Sequence, residues 1–128
     1  MRRALLWVPA LAVMVVIFAA SSVPGSQIPG TIWDKLAHML VYSALGVALM
    51  IPLSGGRWRD VTLGAVAGAI VLSLAYGISD EIHQHFTPDR TPDVLDVVAD
   101  TVGATAGSAA VYAVAAIVRR WRAPAAVP

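Results

Sequence analysis

Six of the chain's eight carboxylates and two of its three histidines fall between Tyr76 and Asp100. They read as Asp80-Glu81-x-His83-Gln84-His85, then Asp89-Arg90, then Asp93, Asp96 and Asp100. A shorter group precedes them: Asp34, Lys35, His38 and Tyr42. Carboxylates and imidazoles in one place suit general acid–base chemistry. They also suit a divalent metal, with zinc, manganese and calcium all compatible with such donors. His38, Asp80, Glu81, His83 and Asp96 are the candidates for either task. No HEXXH pattern is present, and no cysteine, which removes thiolate ligands, a thiol nucleophile and disulfides.

These groups sit beside apolar runs long enough to cross a bilayer. A charge near the centre of a span costs about 2.5–3.5 kcal/mol on insertion scales. Each carboxylate there needs a partner, a proton or a task. The whole composition agrees with a membrane setting: 58% of residues are hydrophobic and 13% charged, against roughly 25% charged in a soluble domain. The net charge of +1 gives no footprint for nucleic acid.

Four segments must position these residues, within a single domain over 1–128. Ala4 to Ala20 is an apolar run containing Pro9. Its rival reading is a cleaved secretory signal, but the run exceeds the usual h-region and its loss would leave an odd number of spans. A loop follows, punctuated by Pro24, Gly25, Pro29 and Gly30. Thr31 to Asp34 reads as a helix start with Thr31 as N-cap, and the second helix runs to about Leu53. Ser54 to Asp60 is a tight polar connection. The third helix begins near Val61 and continues to about His85. Thr91-Pro92-Asp93 opens the fourth, with Pro92 at its first position, and that helix ends near Val118. The fold class is all-α, a four-helix membrane bundle.

Arg2, Arg3, Arg57, Arg59, Arg119, Arg120 and Arg122 all fall at one end of this arrangement, seven of nine basic residues. The positive-inside rule puts that end, with both termini, in the cytoplasm, and the acidic cluster on the outer side of a bacterial cytoplasmic membrane. Trp7, Trp58 and Trp121 fall near the inner interface and Trp33 near the outer one. Gly64-x-x-x-Gly68 and Gly103-x-x-x-Gly107 are small-residue motifs that let helices approach closely, within one bundle or between two copies.

At 100° per residue Asp34, His38 and Tyr42 form one stripe. Asp93, Asp96 and Asp100 form another, continuing into Gly103 and Gly107. On the third helix Tyr76, Asp80, His83 and Gln84 share a face, with Glu81 and His85 turned further round. Asp34 and Asp93 are first-turn residues suited to capping and read as structural polar groups, whereas Asp100, like Asp80 and Asp96, lies deep enough to need a partner, water or a proton. Asp100 lies two turns, roughly 10 Å, below Asp93. Seven outer carboxylates against Lys35 and Arg90 leave a charge of −5, which favours a cation, protonated carboxyls or charged histidines.

Asp34-Lys35-x-x-His38-x-x-x-Tyr42, Tyr76-Gly77-x-x-Asp80-Glu81-x-His83-Gln84-x-Phe86, Arg90, Asp96 and Gly103-x-x-x-Gly107 together resemble the VanZ-like family over about residues 30–108. The resemblance implies a small bacterial envelope protein linked to teicoplanin response. It does not imply a reaction. Asp100 stands where that family has Asn, and Asp89-Arg90-Thr91 where it has Gly-Arg-Ser, so Asp100 reads as a stand-in for an amide. Two functions follow. In one, the outer cluster of a non-enzymatic protein binds a cation, an anionic lipid headgroup or a partner, with Lys35, Tyr42, Tyr76, Gln84 and Arg90 contacting the ligand. In the other, the candidate acids and histidines hydrolyse a lipid-linked envelope precursor carrying phosphate, with or without metal.

Overall fold

A computed structural model describes residues 2–27 and 32–122. The Thr31 cap and the turn residues Pro29 and Gly30 lie outside the described residues, as does the side chain of Trp33. Five α-helices follow one another: α1 (Arg2–Leu5), α2 (Val8–Ser21), α3 (Ile32–Leu53), α4 (Leu63–Gln84) and α5 (Val94–Arg122). Short 3-10 turns occupy Gly25–Gln27 and Trp58–Asp60, and no strand occurs among the described residues. Four stretches are long and apolar enough to cross a membrane: Arg3–Ser21, Asp34–Leu53, Leu63–Gln84 and Val94–Arg122.

The helix boundaries have local causes. Pro9 sits in the first turn of α2. Its ring would clash with the carbonyl of Leu5 in a continuous helix, so the first apolar run breaks after Leu5. At the end of α3 the Gly56 N–H donates to the Ile51 carbonyl (2.8 Å) and the Gly55 N–H to the Pro52 carbonyl (3.0 Å). That is a Schellman cap, which requires the left-handed conformation seen at Gly55 (φ 59°). Thr62, not Val61, starts α4, its hydroxyl accepting from the Ala65 N–H at 3.1 Å. Asp93 starts α5 by accepting from the Leu95 N–H at 2.8 Å. Pro92 therefore lies before the helix rather than at its first position. The helix also runs four residues past Val118, to Arg122, where the Arg119 guanidinium donates to the carbonyls of Val61 (2.9 Å) and Trp58 (3.3 Å).

Small residues bring α3 and α5 together. A methyl group on Gly103 or Gly107 would run into the backbone carbonyls of Met39 and Ser43, and one on Gly46 would stand 2.5 Å from the Ala104 carbonyl. Backbones this close form Cα–H···O contacts and pack without a hydrophobic driving force. Gly64 and Gly68 behave differently from the expectation for packing within the bundle. Gly64 is exposed, with only the Thr62 hydroxyl nearby, and Gly68 meets only the Leu53 side chain. α4 uses Ala65, Ala69, Ser73 and Gly77 on its buried face instead.

The distribution of polarity is inverted relative to a soluble protein. Leu40, Val71 and Ile82 are 72%, 63% and 60% exposed, whereas Ser73, Asp100 and Ser108 are fully buried. Apolar surface of this extent is stable in lipid and not in water. Arg3, Arg57 and Asp60 border a common cleft at one end of the bundle, and Asp34, His38, Asp80 and Arg90 border one at the other.

Candidate functional site

Three helices and one loop build the polar end. α3 supplies Asp34, His38 and Tyr42, one turn apart along a single stripe, and Lys35 next to Asp34. The His38 and Tyr42 rings lie nearly parallel with centroids 6.4 Å apart. α5 supplies Asp96 and Asp100 from the face whose continuation, Gly103 and Gly107, touches α3. Because those glycines draw the two helices together, the His38 and Asp100 side chains meet: Nδ1 and Oδ1 are 2.9 Å apart.

Asp100 is fully buried. Its second oxygen occupies the space a side chain on α4 would fill: a methyl group on Gly77 would stand 2.8 Å from Asp100 Oδ2 and 3.5 Å from Tyr42 Cε1. Gly77 thus shapes the site without contributing a functional group. Asp100 Oδ2, the Tyr42 hydroxyl and the Ser73 hydroxyl are buried without a hydrogen-bond partner among the described residues.

Lys35 spans two acids of the neighbouring helix start. Its ammonium lies 2.6 Å from Asp93 Oδ2 and also pairs with Asp96 Oδ1. The Lys35 hydrogen bond holds the Asp93 carboxyl below the ordinary carboxylate range, helped by the Leu95 N–H. Glu81 Oε2 accepts from the Asp93 N–H at 2.7 Å. The Gln84 amide donates to Glu81 Oε1 and to Asp80 Oδ2, each at 3.2 Å. One amide therefore holds two buried carboxylates of α4 together.

The α4 stripe divides. Tyr76 and His83 are separated by seven residues, about 20° on a helix, and both face α2. The Tyr76 hydroxyl donates to the Met14 carbonyl at 2.7 Å. The His83 ring stacks on Phe18 at 4.5 Å, and its Nε2 lies 3.0 Å from the Ser22 hydroxyl. That hydroxyl gives its proton to the Phe18 carbonyl, so it accepts from His83. Glu81, rotated about 140° from Tyr76, faces α5 and joins the acids. His83 therefore sits apart from His38 and Asp96, and Tyr76 serves helix packing. Glu81 is buried among the site residues rather than turned away. His85 is exposed, edge-on to Phe86.

Asp34, His38, Tyr42, Asp80 and Arg90 line a cleft of about 340 Å³ together with apolar residues, among them Ile17 and Ala20 of α2 and Val41 of α3. Arg90 comes from the α4–α5 connection. Thr87 donates to the Ser21 carbonyl (3.2 Å), Gly25 N–H to the Pro88 carbonyl (3.1 Å) and Arg90 Nε to the Val23 carbonyl (3.4 Å). A side chain at Gly25 would collide with the Asp89 carbonyl, so glycine there allows the two connections to meet and to hold Arg90 over the cleft. Among the described residues Arg90 has no carboxylate partner, whereas Lys35 has two. Donor atoms of Asp34, His38 and Asp96 lie within 4.8 Å of one another. This group differs from the expected metal set: Asp34 enters it, and Asp80, Glu81 and His83 do not.

The arrangement can be compared with known proteins. Residues 6–117 match the model of the VanZ/LLP1 family. The chain belongs to the VanZ/LLP1 family. No curated protein and no solved structure matches it. The match covers α2 to most of α5 and so takes in every residue of the polar end, extending the resemblance read from residues 30–108. With four membrane-length helices, this VanZ/LLP1 chain is a multi-pass membrane protein.

Sequence reasoning did not assign Gly77, Ser73 or Gly25. The signal for Gly77 was a glycine inside a span, one turn before Glu81. Gly25 was marked only as loop punctuation and Ser73 not at all, because their roles depend on which neighbours the fold brings.

Proposed function

We propose that this VanZ/LLP1 protein binds the phosphate-bearing head of an amphiphilic envelope lipid at the outer face of the bacterial cytoplasmic membrane, and through that binding alters the response to glycopeptides such as teicoplanin. The observation that carries the reading is the cleft, lined both by apolar side chains and by Arg90. The Arg90 guanidinium makes one hydrogen bond, to a backbone carbonyl, and no ion pair among the described residues. The guanidinium suits a phosphate, which it can grip through two parallel N–H donors. Lys35, already engaged by two acids, serves as a structural residue. The outward placement rests on the seven arginines of the opposite end, and the link to teicoplanin on family membership.

The test is a titration of the purified protein in nanodiscs with a phosphate-bearing lipid, phosphatidic acid in one arm and a prenyl phosphate in the other. Loss of one charge-assisted contact is worth about 1.5–3 kcal/mol, so Arg90→Gln weakens binding about 10- to 150-fold, while Arg57→Gln at the other end leaves it unchanged. Equal binding by both variants overturns the reading. One observation favours the hydrolytic alternative: His38 lines the cleft and is held at Nδ1 by buried Asp100, which leaves Nε2 for proton transfer. Release of inorganic phosphate during the same titration moves the assignment to hydrolysis.

A further inference from the structure

A phosphate in this cleft meets a contradiction. Asp34 and Asp80 line the same walls as Arg90, and two carboxylates repel an anion. We propose that Asp34, His38 and Asp96 form a site for a first-row divalent cation, zinc or manganese, which neutralises the carboxylates and offers the phosphate an open coordination position. The inference deepens the preceding reading and rests on it for the identity of the anion, but not for the cation.

The donor set is one imidazole and two carboxylates, drawn together within 4.8 Å. Asp34 and His38 are four residues apart on α3 and so share a face. Asp96 comes from α5, held beside them by the glycine contacts at Gly103 and Gly107. Lys35 takes one oxygen of Asp96 and leaves the other. An imidazole ligand separates this set from the all-oxygen shells that calcium and magnesium take, and a mixed imidazole–carboxylate set suits first-row divalent ions, of which zinc and manganese are the two tested.

Acids in proximity would not by themselves single out a cation, but the surroundings of His38 do. Its Nδ1 is tied to fully buried Asp100. Metal-ligating histidines are oriented in this way, with a carboxylate on the ring nitrogen that does not touch the ion. With the proton on Nδ1, toward the Asp100 carboxylate, Nε2 is a lone pair for the ion. Asp100 gains a role here as the positioning carboxylate. In addition, the Tyr42 hydroxyl is fully buried on the cleft wall, beside His38, with no partner among the described residues. A hydroxyl in that state calls for a polar partner beside it, such as an ordered water.

The experiment uses the full chain in detergent, loaded with Zn²⁺ or Mn²⁺ in separate arms, dialysed and analysed for metal. One equivalent is expected. Asp34→Asn and His38→Gln lose it while remaining monodisperse with a cooperative melt, Asp100→Asn binds 10- to 100-fold more weakly, and Asp60→Asn at the other end binds as the parent does. Should His38→Gln fail to fold, the His83→Gln/His85→Gln variant keeps the test open: its one remaining imidazole signal, from His38, broadens in Mn²⁺. No retained metal, unchanged retention in Asp34→Asn, or an unbroadened His38 signal overturns the proposal. Repeating the lipid titration with EDTA separates it from the reading above. Metal retention without lipid binding removes the lipid and leaves the cation. Lipid binding indifferent to EDTA, with no metal retained, does the reverse.

Discussion

Replacing Gly77 by alanine tests the geometry of the site at its least conspicuous member. The new methyl group would stand 2.8 Å from Asp100 Oδ2, with Asp100 Cβ and Tyr42 Cε1 both at 3.5 Å. A carboxylate oxygen on the surface would swing away at little cost. Here the other oxygen is bound to His38 at 2.9 Å and the residue is fully buried, so rotation breaks that hydrogen bond and refusal to rotate pushes α4 from α5. Overpacking of this kind costs about 1–3 kcal/mol, offset by up to about 1 kcal/mol from alanine's better helix propensity. The net expectation is a loss of about 1–2 kcal/mol, read as a lowered melting temperature in detergent. Two companion variants calibrate the result. Gly64→Ala meets only the Thr62 hydroxyl at 3.6 Å and keeps the propensity gain, so it is neutral or slightly stabilising. Gly103→Ala collides with the backbone carbonyl of Met39, which cannot rotate away, and is the most damaging of the three. The order Gly64, Gly77, Gly103 is the prediction. A Gly77→Ala protein as stable as Gly64→Ala would show that Asp100 does not occupy the space beside Gly77, and the His38–Asp100 pairing would fall with it.

Two further outcomes are expected. Asp93→Asn keeps an N-cap, since asparagine caps as well as aspartate, but removes a carboxyl held below its ordinary range by Lys35. Stability from that pairing is fully present above the ordinary carboxylate pKa and is lost as pH falls through the lower folded value, so melting curves taken as pH falls below the ordinary carboxylate range lose an acid-side step in the variant; an identical step in both proteins would refute the assignment. Lys35→Met leaves Asp96, 4% exposed, without its cation. Removing one partner of a buried pair costs about 3–5 kcal/mol, reduced to about 1–3 because Lys35 is partly exposed, and an unchanged melting temperature would show that Asp96 is satisfied without the lysine.

The sequence was most informative where one physical rule dominated. Apolar length set the four spans. The three acids Asp93, Asp96 and Asp100 could face protein or lipid, and the glycines on the same stripe, Gly103 and Gly107, settled which, since small residues on a membrane helix mark where another backbone passes. The same reasoning applied to Gly64 and Gly68 does not say what they pack against, because spacing does not reveal whether a partner helix lies opposite. The glycines of α4 and α5 have the same four-residue interval, and only the α5 pair meets a neighbour's carbonyls. Pro9 shows a second limit: hydropathy counts the first segment as one span, while the missing N–H and the ring of proline divide it into two helices.

The polar end was legible as a place more than as a set of contacts. Asp80, Glu81 and His83 are nearly adjacent in sequence, yet they look in three directions: Asp80 into the cleft, Glu81 toward the start of α5, His83 onto Phe18 of α2. A helix surrounded by neighbours on several sides offers a different environment every 100°, so a sequence cluster on such a helix need not be a spatial one. The converse holds for His38 and Asp100. They are 62 residues apart, carry no shared motif, and meet because Gly103 and Gly107 draw α3 and α5 together and Gly77 leaves room for the carboxylate. In a membrane bundle the packing glycines and the chemical residues are then parts of one arrangement. The glycine sets how near the next helix comes, and that distance decides which buried carboxylate finds a histidine and which must find a lysine.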